Sequence, residues 1–380
     1  MTEPHPRELA TEPTEEDYAT ALDGLTHDPS EPPKDLDLHT PAVHASKHSW
    51  LKALVPGIER LAAYEHLGTT VAVTRGENPK KVWESMPIYV RIGMQALYHG
   101  REQARLLGAS RVEAMLKQQS IKQGLAFDSP TNALSHIQSF VHTYSIDTSE
   151  LLKPNLADYT NFNSFFYRAL RPGARPIANP DDPKTVSSAA DCRLTVFESV
   201  DAAKTFWIKG QNFTIANLLQ DDAQAKQFEN GAVAVFRLAP ADYHRYHSPV
   251  DATVGETKSI EGTYYTVNPC AVNENLDVFT RNKRDVTYLS ASSSSSSPPV
   301  PVAFVQIGAM LVGSIVRTGA ETPGAQVKRG AELGYFAYGG STVIAVFPPG
   351  AVQFDADLLR NSQNQLETAV RVGEQIGRFV

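Results

Sequence analysis

The feature of this 380-residue chain that most constrains its fold is a change of pattern near residue 150. From there to about residue 347, short apolar runs are separated by Gly, Pro, Asn and Asp, which is typical of β-strands joined by turns. The clearest runs are 193–197, 233–238, 264–267, 302–307 and 342–347. The sequence therefore predicts a β-rich region over 151–380, with a polar segment, 358–380, that can end in a short helix.

The pattern before residue 150 is helical. Apolar residues recur at helical spacing in 49–67, and 80–145 is predicted to be helical throughout. Residues 1–45 are rich in Pro, Glu, Asp and Thr without an apolar period, so we expect a disordered acidic tail. The predicted fold class is α+β: a helical N-terminal region over 46–150, then a β-rich catalytic domain over 151–380 with barrel-sandwich-like elements.

Charge and composition exclude several classes of protein. The net charge is −7, but residues 1–40 hold eleven acidic and two basic side chains, so the remainder sums to about +2. No dense Lys/Arg stripe appears, and we expect no nucleic-acid partner. Cys192 and Cys270 fit neither a disulfide framework nor metal-ligand spacing. We find no secretory signal, and the apolar segment 86–98 is far shorter than the ~20 residues of a spanning helix. A soluble or peripheral protein, on the cytoplasmic face, is expected.

Three segments carry the residue types of an activated nucleophile. Ser341 follows two glycines and begins an apolar run, so its hydroxyl can approach its own preceding carbonyl. His244 and His247 are the only histidines after residue 142, and histidine is the usual acid–base group near neutral pH. Asp191 lies among small residues just before a predicted strand. Each segment alone also fits a plain role: a Gly-Gly turn, structural histidines and a turn aspartate.

Longer motifs accompany these residues in a fixed order. They are Ser-Ile-Lys-Gln-Gly at 120–124, Phe-Asn-Ser-Phe-Phe-Tyr-Arg at 162–168, Arg-Pro-Gly-Ala-Arg-Pro-Ile at 171–177, Trp-Ile-Lys-Gly at 207–210, Phe-Arg-Leu-Ala-Pro at 236–240, and the segments 242–249, 264–269, 308–313 and 328–334. Through them the chain, over roughly residues 86–375, resembles the phosphatidylserine decarboxylase family, most closely its soluble fungal branch. Two positions depart from the family pattern: Gly339 stands where Leu is usual, and Ala252 where Gly is usual.

The resemblance implies that the chain cuts itself between Gly340 and Ser341. It gives Ser341 the position of the self-cleaving serine, His247 that of the charge-relay histidine and Asp191 that of the charge-relay aspartate. His244 matches a histidine assigned to decarboxylation. The cut implies a covalent pyruvoyl cofactor derived from Ser341, which serves as the electron sink when phosphatidylserine becomes phosphatidylethanolamine and CO2. The implied partners are the phospholipid and the two fragments, held as a non-covalent heterodimer, with no metal.

Other interpretations stay open at this point. The same cofactor would serve a decarboxylase of a free amino acid, such as an aromatic one. Segments 247–255 and 324–335 resemble the halves of a lipoyl- or biotinyl-carrier barrel, although no acceptor-lysine tip is present. Segment 86–98 is either a helix packed on the catalytic domain or a helix with one face in the headgroup region of a membrane. The serine-rich stretch 292–297 is predicted to be a surface loop.

Overall fold

A computed structural model describes residues 68–85, 125, 127–208, 213–265, 267, 272, 277–293, 298–309, 314–319, 321–337 and 341–380. Several predictions fall outside these ranges and stay predictions. They concern the acidic tail at 1–45, the apolar segment 86–98, the backbone at Gly340 and the serine stretch from 294 to 297.

The described residues form strands β1 (Gly68–Ala72), β2 (Lys81–Ser85), β3 (Thr185–Ser187), β4 (Cys192–Phe197), β5 (Ala232–Leu238), β6 (Arg245–His247), β7 (Ala252–Ile260), β8 (Arg284–Ala291), β9 (Val300–Gly308), β10 (Ile315–Arg317), β11 (Gln326–Val327), β12 (Glu332–Phe336), β13 (Ser341–Phe347), β14 (Val352–Phe354), β15 (Glu367–Val370) and β16 (Gln375–Phe379). The α-helices are α1 (Ala133–Tyr144), α2 (Phe162–Phe166), α3 (Val200–Phe206), α4 (Ile215–Leu219), α5 (Asp222–Ala225), α6 (Val278–Arg281) and α7 (Ala356–Gln363). Short 3-10 helices cover Thr148–Glu150, Leu156–Asp158 and Lys226–Phe228.

Ten strands form one open sheet in the order β11-β7-β8-β9-β13-β5-β4-β15-β1-β2. Neighbouring strands are antiparallel except for the parallel pair β1 and β15. The predicted runs 193–197, 233–238, 302–307 and 342–347 are confirmed within β4, β5, β9 and β13. The run 264–267 shows no strand at its described residues.

The central strand β13 separates two hydrophobic cores. Ile344 and Val346 point into a helix-side core that also contains residues of α1 and α2. Val343, Ala345 and Phe347 point into a strand-side core shared with the smaller sheets. Successive side chains of a strand alternate between faces, so a strand buried on both faces reads as a continuous apolar run.

The expected barrel-like architecture is wrong for the described residues. Two three-stranded sheets, β10-β12-β6 and β14-β16-β3, contribute to the strand-side core. The two carrier-like segments do pair, through β6 with β12 and β7 with β11. Within the described ranges, however, the large sheet ends in free edge strands, β11 and β2, and no barrel closes. The fold is mixed α/β, with a large sheet and few helices.

The N-terminal region is also not uniformly helical. The prediction of helix throughout 80–145 is confirmed at α1 but wrong at β2, which forms a hairpin with β1 and extends the large sheet. Thr69, Thr70, Val71, Val82 and Trp83 give this hairpin the β-branched and aromatic side chains that favour strands. None of the helices within the described ranges is long and apolar enough to cross a membrane.

The C-terminal segment likewise departs from its prediction. Helix α7 comes first, and the chain then forms β15 and β16 instead of ending in a helix. The polar composition of the segment did not indicate strands, because one of its charged residues is buried. Glu367, at the start of β15, is 2% exposed and accepts a hydrogen bond from Arg237. A charged residue in a strand is compatible with burial when a partner neutralises it.

Candidate active site

The candidate residues share one end of the large sheet. Strands β4 and β13 both run antiparallel to β5, so both begin at the end where β5 stops. Arg193, Arg237 and Thr342 are Cα partners in a row across these three strands. With about 4.8 Å between neighbouring strands, the backbones of Asp191 and Ser341 lie roughly 10 Å apart. From the same end of β5 the chain continues into the segment that holds both histidines.

Ser341 is the first residue of β13 and is fully buried. It is the Cα partner of Leu238 on β5 and of Gly308 on β9, and its side chain lies on the strand-side face. Its Oγ has no hydrogen-bond partner among the described residues. Leaving a buried hydroxyl unpaired costs about 1–3 kcal/mol, so this atom is held in an unfavourable state that a reacting group would relieve.

His247 is held in the protonation state of a base. Its Nδ1 lies 3.0 Å from the carbonyl oxygen of Gly330, and a carbonyl can only accept a hydrogen bond. The ring therefore carries its proton on Nδ1, and the buried Nε2 is the basic nitrogen, without a hydrogen-bond partner in the described chain. Burial lowers the pKa of His247, outweighing the hydrogen bond to Gly330 and the nearby carboxylates, which raise it. A neutral imidazole is thus favoured near pH 7.

Gly330 places the carbonyl that orients His247, and its conformation suits glycine. Its φ is +81°, and an added Cβ would lie 2.2 Å from Cδ1 of Ile177. We expect Gly330→Ala to lower the free energy of unfolding by about 1–3 kcal/mol and to slow self-cleavage severalfold or more. Thermal unfolding and the time course of fragment appearance measure these effects.

Gly350→Ala is the matched control for that substitution. Gly350 has a φ of +70° but nothing within 4 Å of an added Cβ. Gly350→Ala therefore introduces the same backbone strain, but it has no clash with a neighbouring side chain and no hydrogen bond to His247 is affected. Equal cleavage rates in the two variants would contradict the orienting role of Gly330.

Asp191 has a different partner from the one expected of a charge relay. Its carboxylate accepts hydrogen bonds from Arg175, with Nη2 at 2.6 Å, and from the backbone N–H of Val372 at 2.9 Å. No hydrogen bond joins it to His247 among the described contacts. The negative charge of Asp191 nonetheless raises the pKa of His247. The backbone N–H of His247 donates to the backbone carbonyl of Ala189 at 2.7 Å. In the described contacts, Asp191 therefore affects His247 only through its charge, and the backbone contact with His247 is made by Ala189.

His244 is fully buried at the entrance to β6. Its Nδ1 lies 2.8 Å from the carbonyl oxygen of Asp242, which again places a proton on Nδ1. Its ring lies against the ring of Phe166, with centroids 3.9 Å apart. The backbone carbonyl of His244 accepts a hydrogen bond from the backbone N–H of Phe336, which lies five residues before Ser341. The two histidines therefore have separate supports, His247 from Gly330 and His244 from Asp242.

A buried ion-pair network beneath this site was missed by the sequence analysis. Arg193 binds Asp242 at 3.0 Å and also pairs with Glu84 of the β1–β2 hairpin, while Arg237 binds Glu367 at 2.7 Å. Burial raises the pKa of Asp242 to about 6. The sequence signal that could have indicated this network is one arginine inside each of two apolar strands, β4 and β5. A buried arginine needs acidic or carbonyl partners, so these two positions predict buried ion pairs.

Comparison with known proteins identifies related sequences. A family model described as phosphatidylserine decarboxylase matches residues 162–378. Phosphatidylserine decarboxylase proenzyme 3 of Schizosaccharomyces pombe is 42% identical over 317 residues, which cover 83% of this chain and 32% of that protein. Proenzyme 2 of Oryza sativa subsp. japonica is 43% identical over 318 residues, covering 82% and 49%. The Chlamydia muridarum proenzyme is 41% identical over 242 residues, covering 64% and 77%.

The range of the family model includes every candidate site residue. The chain spans about a third of the fungal relative and about half of the plant relative, but about three quarters of the bacterial one. Asp191, His244, His247 and Ser341 all lie between residues 162 and 378.

Proposed function

This chain belongs to the phosphatidylserine decarboxylase family, and we propose that it converts phosphatidylserine to phosphatidylethanolamine and CO2 after cutting itself between Gly340 and Ser341. The observation that carries the proposal is the buried hydroxyl of Ser341 at the start of β13, which has no hydrogen-bond partner among the residues that the structure describes. The relatives named above are all phosphatidylserine decarboxylase proenzymes, which supports the lipid over a free amino acid as substrate. The word proenzyme supports self-processing.

Self-cleavage uses groups of this chain alone. His247 Nε2 accepts the proton of Ser341 Oγ, and the oxygen attacks the carbonyl carbon of Gly340. His247 then gives this proton to the leaving nitrogen of Ser341, so that the peptide bond breaks and an ester between Gly340 and the Ser341 oxygen remains. Loss of the Ser341 α-proton then expels the Gly340 carboxylate and leaves dehydroalanine, which tautomerises and takes up water to release ammonia. The new fragment begins with a pyruvoyl group.

The residues around Ser341 fit such a group. When formed, the pyruvoyl group supplies the electron-withdrawing carbonyl that decarboxylation of an amino acid requires. Its site is fully buried between Leu238 and Gly308, which limits the access of water. The ring of His244 is fixed through Nδ1 by Asp242, so proton delivery to the product carbon falls to Nε2.

The position of β13 explains how two fragments would stay together. The fragment 341–380 supplies β13 to the middle of the large sheet, between β5 and β9, and supplies β15 between β4 and β1. Its strands β14 and β16 complete a second sheet with β3. Separating the fragments would break backbone hydrogen bonds in both sheets, so we propose a non-covalent heterodimer.

Intact mass and product analysis of the full chain test the proposal together. Freshly purified protein should contain a fragment ending at Gly340 and a 40-residue fragment whose amino group is replaced by pyruvoyl. Vesicles that contain phosphatidylserine should yield phosphatidylethanolamine and CO2, whereas free tryptophan should yield no product. A single uncut chain in an active preparation would overturn the self-cleavage mechanism.

A further inference from the structure

Arg168 is a buried cation that forms no ion pair within the described part of the chain. It is 4% exposed, and its Nη2 donates to the carbonyl of Ala241 at 2.8 Å and to that of Asp242 at 3.4 Å. Its Nη1 donates to the carbonyl of Phe166 at 3.4 Å, while its Nε has no acceptor among the described residues. Burial lowers its pKa to about 10, so the guanidinium is still charged at neutral pH. The two carboxylates whose charges act on it, Asp191 and Asp242, are bound by other arginines. Buried charges normally have a counter-ion, so Arg168 has capacity for an anion.

A second buried donor, the hydroxyl of Tyr159, lies close to Arg168. The hydroxyl of Tyr159 makes no hydrogen bond with the described residues. The Tyr159 ring meets the ring of Phe165 edge-on, with centroids 5.2 Å apart and planes at 83°. The Arg168 guanidinium carbon lies 5.2 Å from the centre of the same Phe165 ring. The charge of Arg168 lowers the pKa of Tyr159, against burial, which raises it. Two buried side chains that each have a donor without an acceptor among the described residues therefore contact one aromatic ring.

We infer that Arg168 and Tyr159 form a buried anion-binding subsite that holds the phosphodiester of the lipid headgroup. The inference rests on the proposed function. Arg168 donates a hydrogen bond to Ala241, which lies in the turn between the end of β5 and His244. The last residue of β5, Leu238, is the Cα partner of Ser341. A phosphodiester is only a few bonds from the reacting amine of the substrate. Guanidinium and phenol donors form the charge-assisted hydrogen bonds that phosphate oxygens accept.

The phosphodiester suits this pair better than the carboxylate of the substrate does. The carboxylate loses its charge when CO2 departs, so a buried cation bound to it would stabilise the ground state more than the transition state. The phosphodiester keeps its charge throughout the reaction. A contact with it therefore positions the substrate without opposing the chemical step.

Tyr159→Phe is the decisive test because it removes one donor and keeps the ring that packs on Phe165. Calorimetric titration of the full chain uses two soluble headgroups, glycerophosphoethanolamine and glycerophosphoserine, of which only the second has a carboxylate. Losing a hydrogen bond to a charged group weakens binding about tenfold or more. We expect such a loss for both ligands. Tyr288→Phe is the control, since it removes another buried hydroxyl that has no hydrogen-bond partner in the described chain.

Arg168→Gln should weaken both ligands further, although it also removes the bond to Ala241. A loss confined to glycerophosphoserine would show that the pair binds the carboxylate and would overturn the assignment. Unchanged affinity in Tyr159→Phe, or a wild-type chain that binds neither ligand, would overturn it as well. If the expected losses occurred in a chain that neither cuts itself nor releases CO2, the subsite would stand and the proposed function would fail.

Discussion

Ser341→Ala should leave the chain uncut and reduce decarboxylation by about 10⁶-fold, the order observed when a catalytic nucleophile is deleted. The substitution removes the oxygen that attacks Gly340 in the proposed mechanism, and with it the source of the proposed pyruvoyl group. Intact mass would show one chain of 380 residues, and product analysis would show no phosphatidylethanolamine above background.

The same variant should fold at least as well as the wild type. Ser341 Oγ is buried without a hydrogen-bond partner in the described chain, so its removal relieves an unpaired polar group and leaves no donor unsatisfied. We expect an unchanged or higher melting temperature, which separates loss of chemistry from loss of structure.

Thr342→Val provides the matched control. Thr342 is the next residue of β13, equally buried, and its Oγ1 also has no hydrogen-bond partner in the described chain. Its side chain points to the opposite face of the sheet, and valine has the same branched shape. Normal cleavage in Thr342→Val and none in Ser341→Ala would assign the reaction to one hydroxyl. A 40-residue fragment from Ser341→Ala would contradict the assignment.

The central strands could be predicted from the sequence because both faces of the sheet are buried. β5 and β13 lie between two cores, so nearly every side chain in them is apolar and their boundaries stand out against Gly, Pro and Asn. The β1–β2 hairpin and β15 lack this signal. Trp83 on β2 is 51% exposed, and Glu367 on β15 is a buried charge, so neither strand has a simple apolar pattern.

The candidate site could be predicted as a set of residues but not as a set of contacts. Ser341, His247 and Asp191 could be proposed because a few residue types perform this chemistry and the family motifs give their order. The carbonyl that orients His247 could not be found, because every residue has a carbonyl and the fold alone selects that of Gly330. The pairing of Asp191 with Arg175 follows from packing between distant segments.

The contacts of Asp191 change what its substitution is expected to do. In the structure its carboxylate pairs with Arg175 and accepts a hydrogen bond from the backbone N–H of Val372. Arg175 also pairs with Glu150 at 2.9 Å. Removing the carboxylate of Asp191 would leave Arg175 with one carboxylate and leave the buried N–H of Val372 without its acceptor. A defect in self-cleavage after substitution of Asp191 therefore combines a lost charge near His247 with lost stability, so melting temperatures have to accompany the cleavage rates.

Substitutions of the two histidines should separate the two reactions. His247→Ala removes the proposed base for Ser341 and should remain uncut. His244→Ala should still cut, at least in part, because Gly330 holds the ring of His247 independently of His244. Its fragments should decarboxylate phosphatidylserine about 10²–10⁴-fold more slowly, the usual contribution of a general acid or base. Intact mass measures the first effect, and turnover per pyruvoyl group measures the second.

Two controls keep this result interpretable. His142→Ala removes an exposed histidine on α1 and should change neither reaction. Imidazole added to His247→Ala should restore some cleavage if the missing group is a base, whereas a misfolded variant would not respond. The roles would be reversed if His244→Ala stayed uncut while His247→Ala processed normally. If both variants stayed uncut with wild-type melting temperatures, both histidines would be needed for self-cleavage. The separate contacts with Gly330 and Asp242 would then not correspond to separate functions.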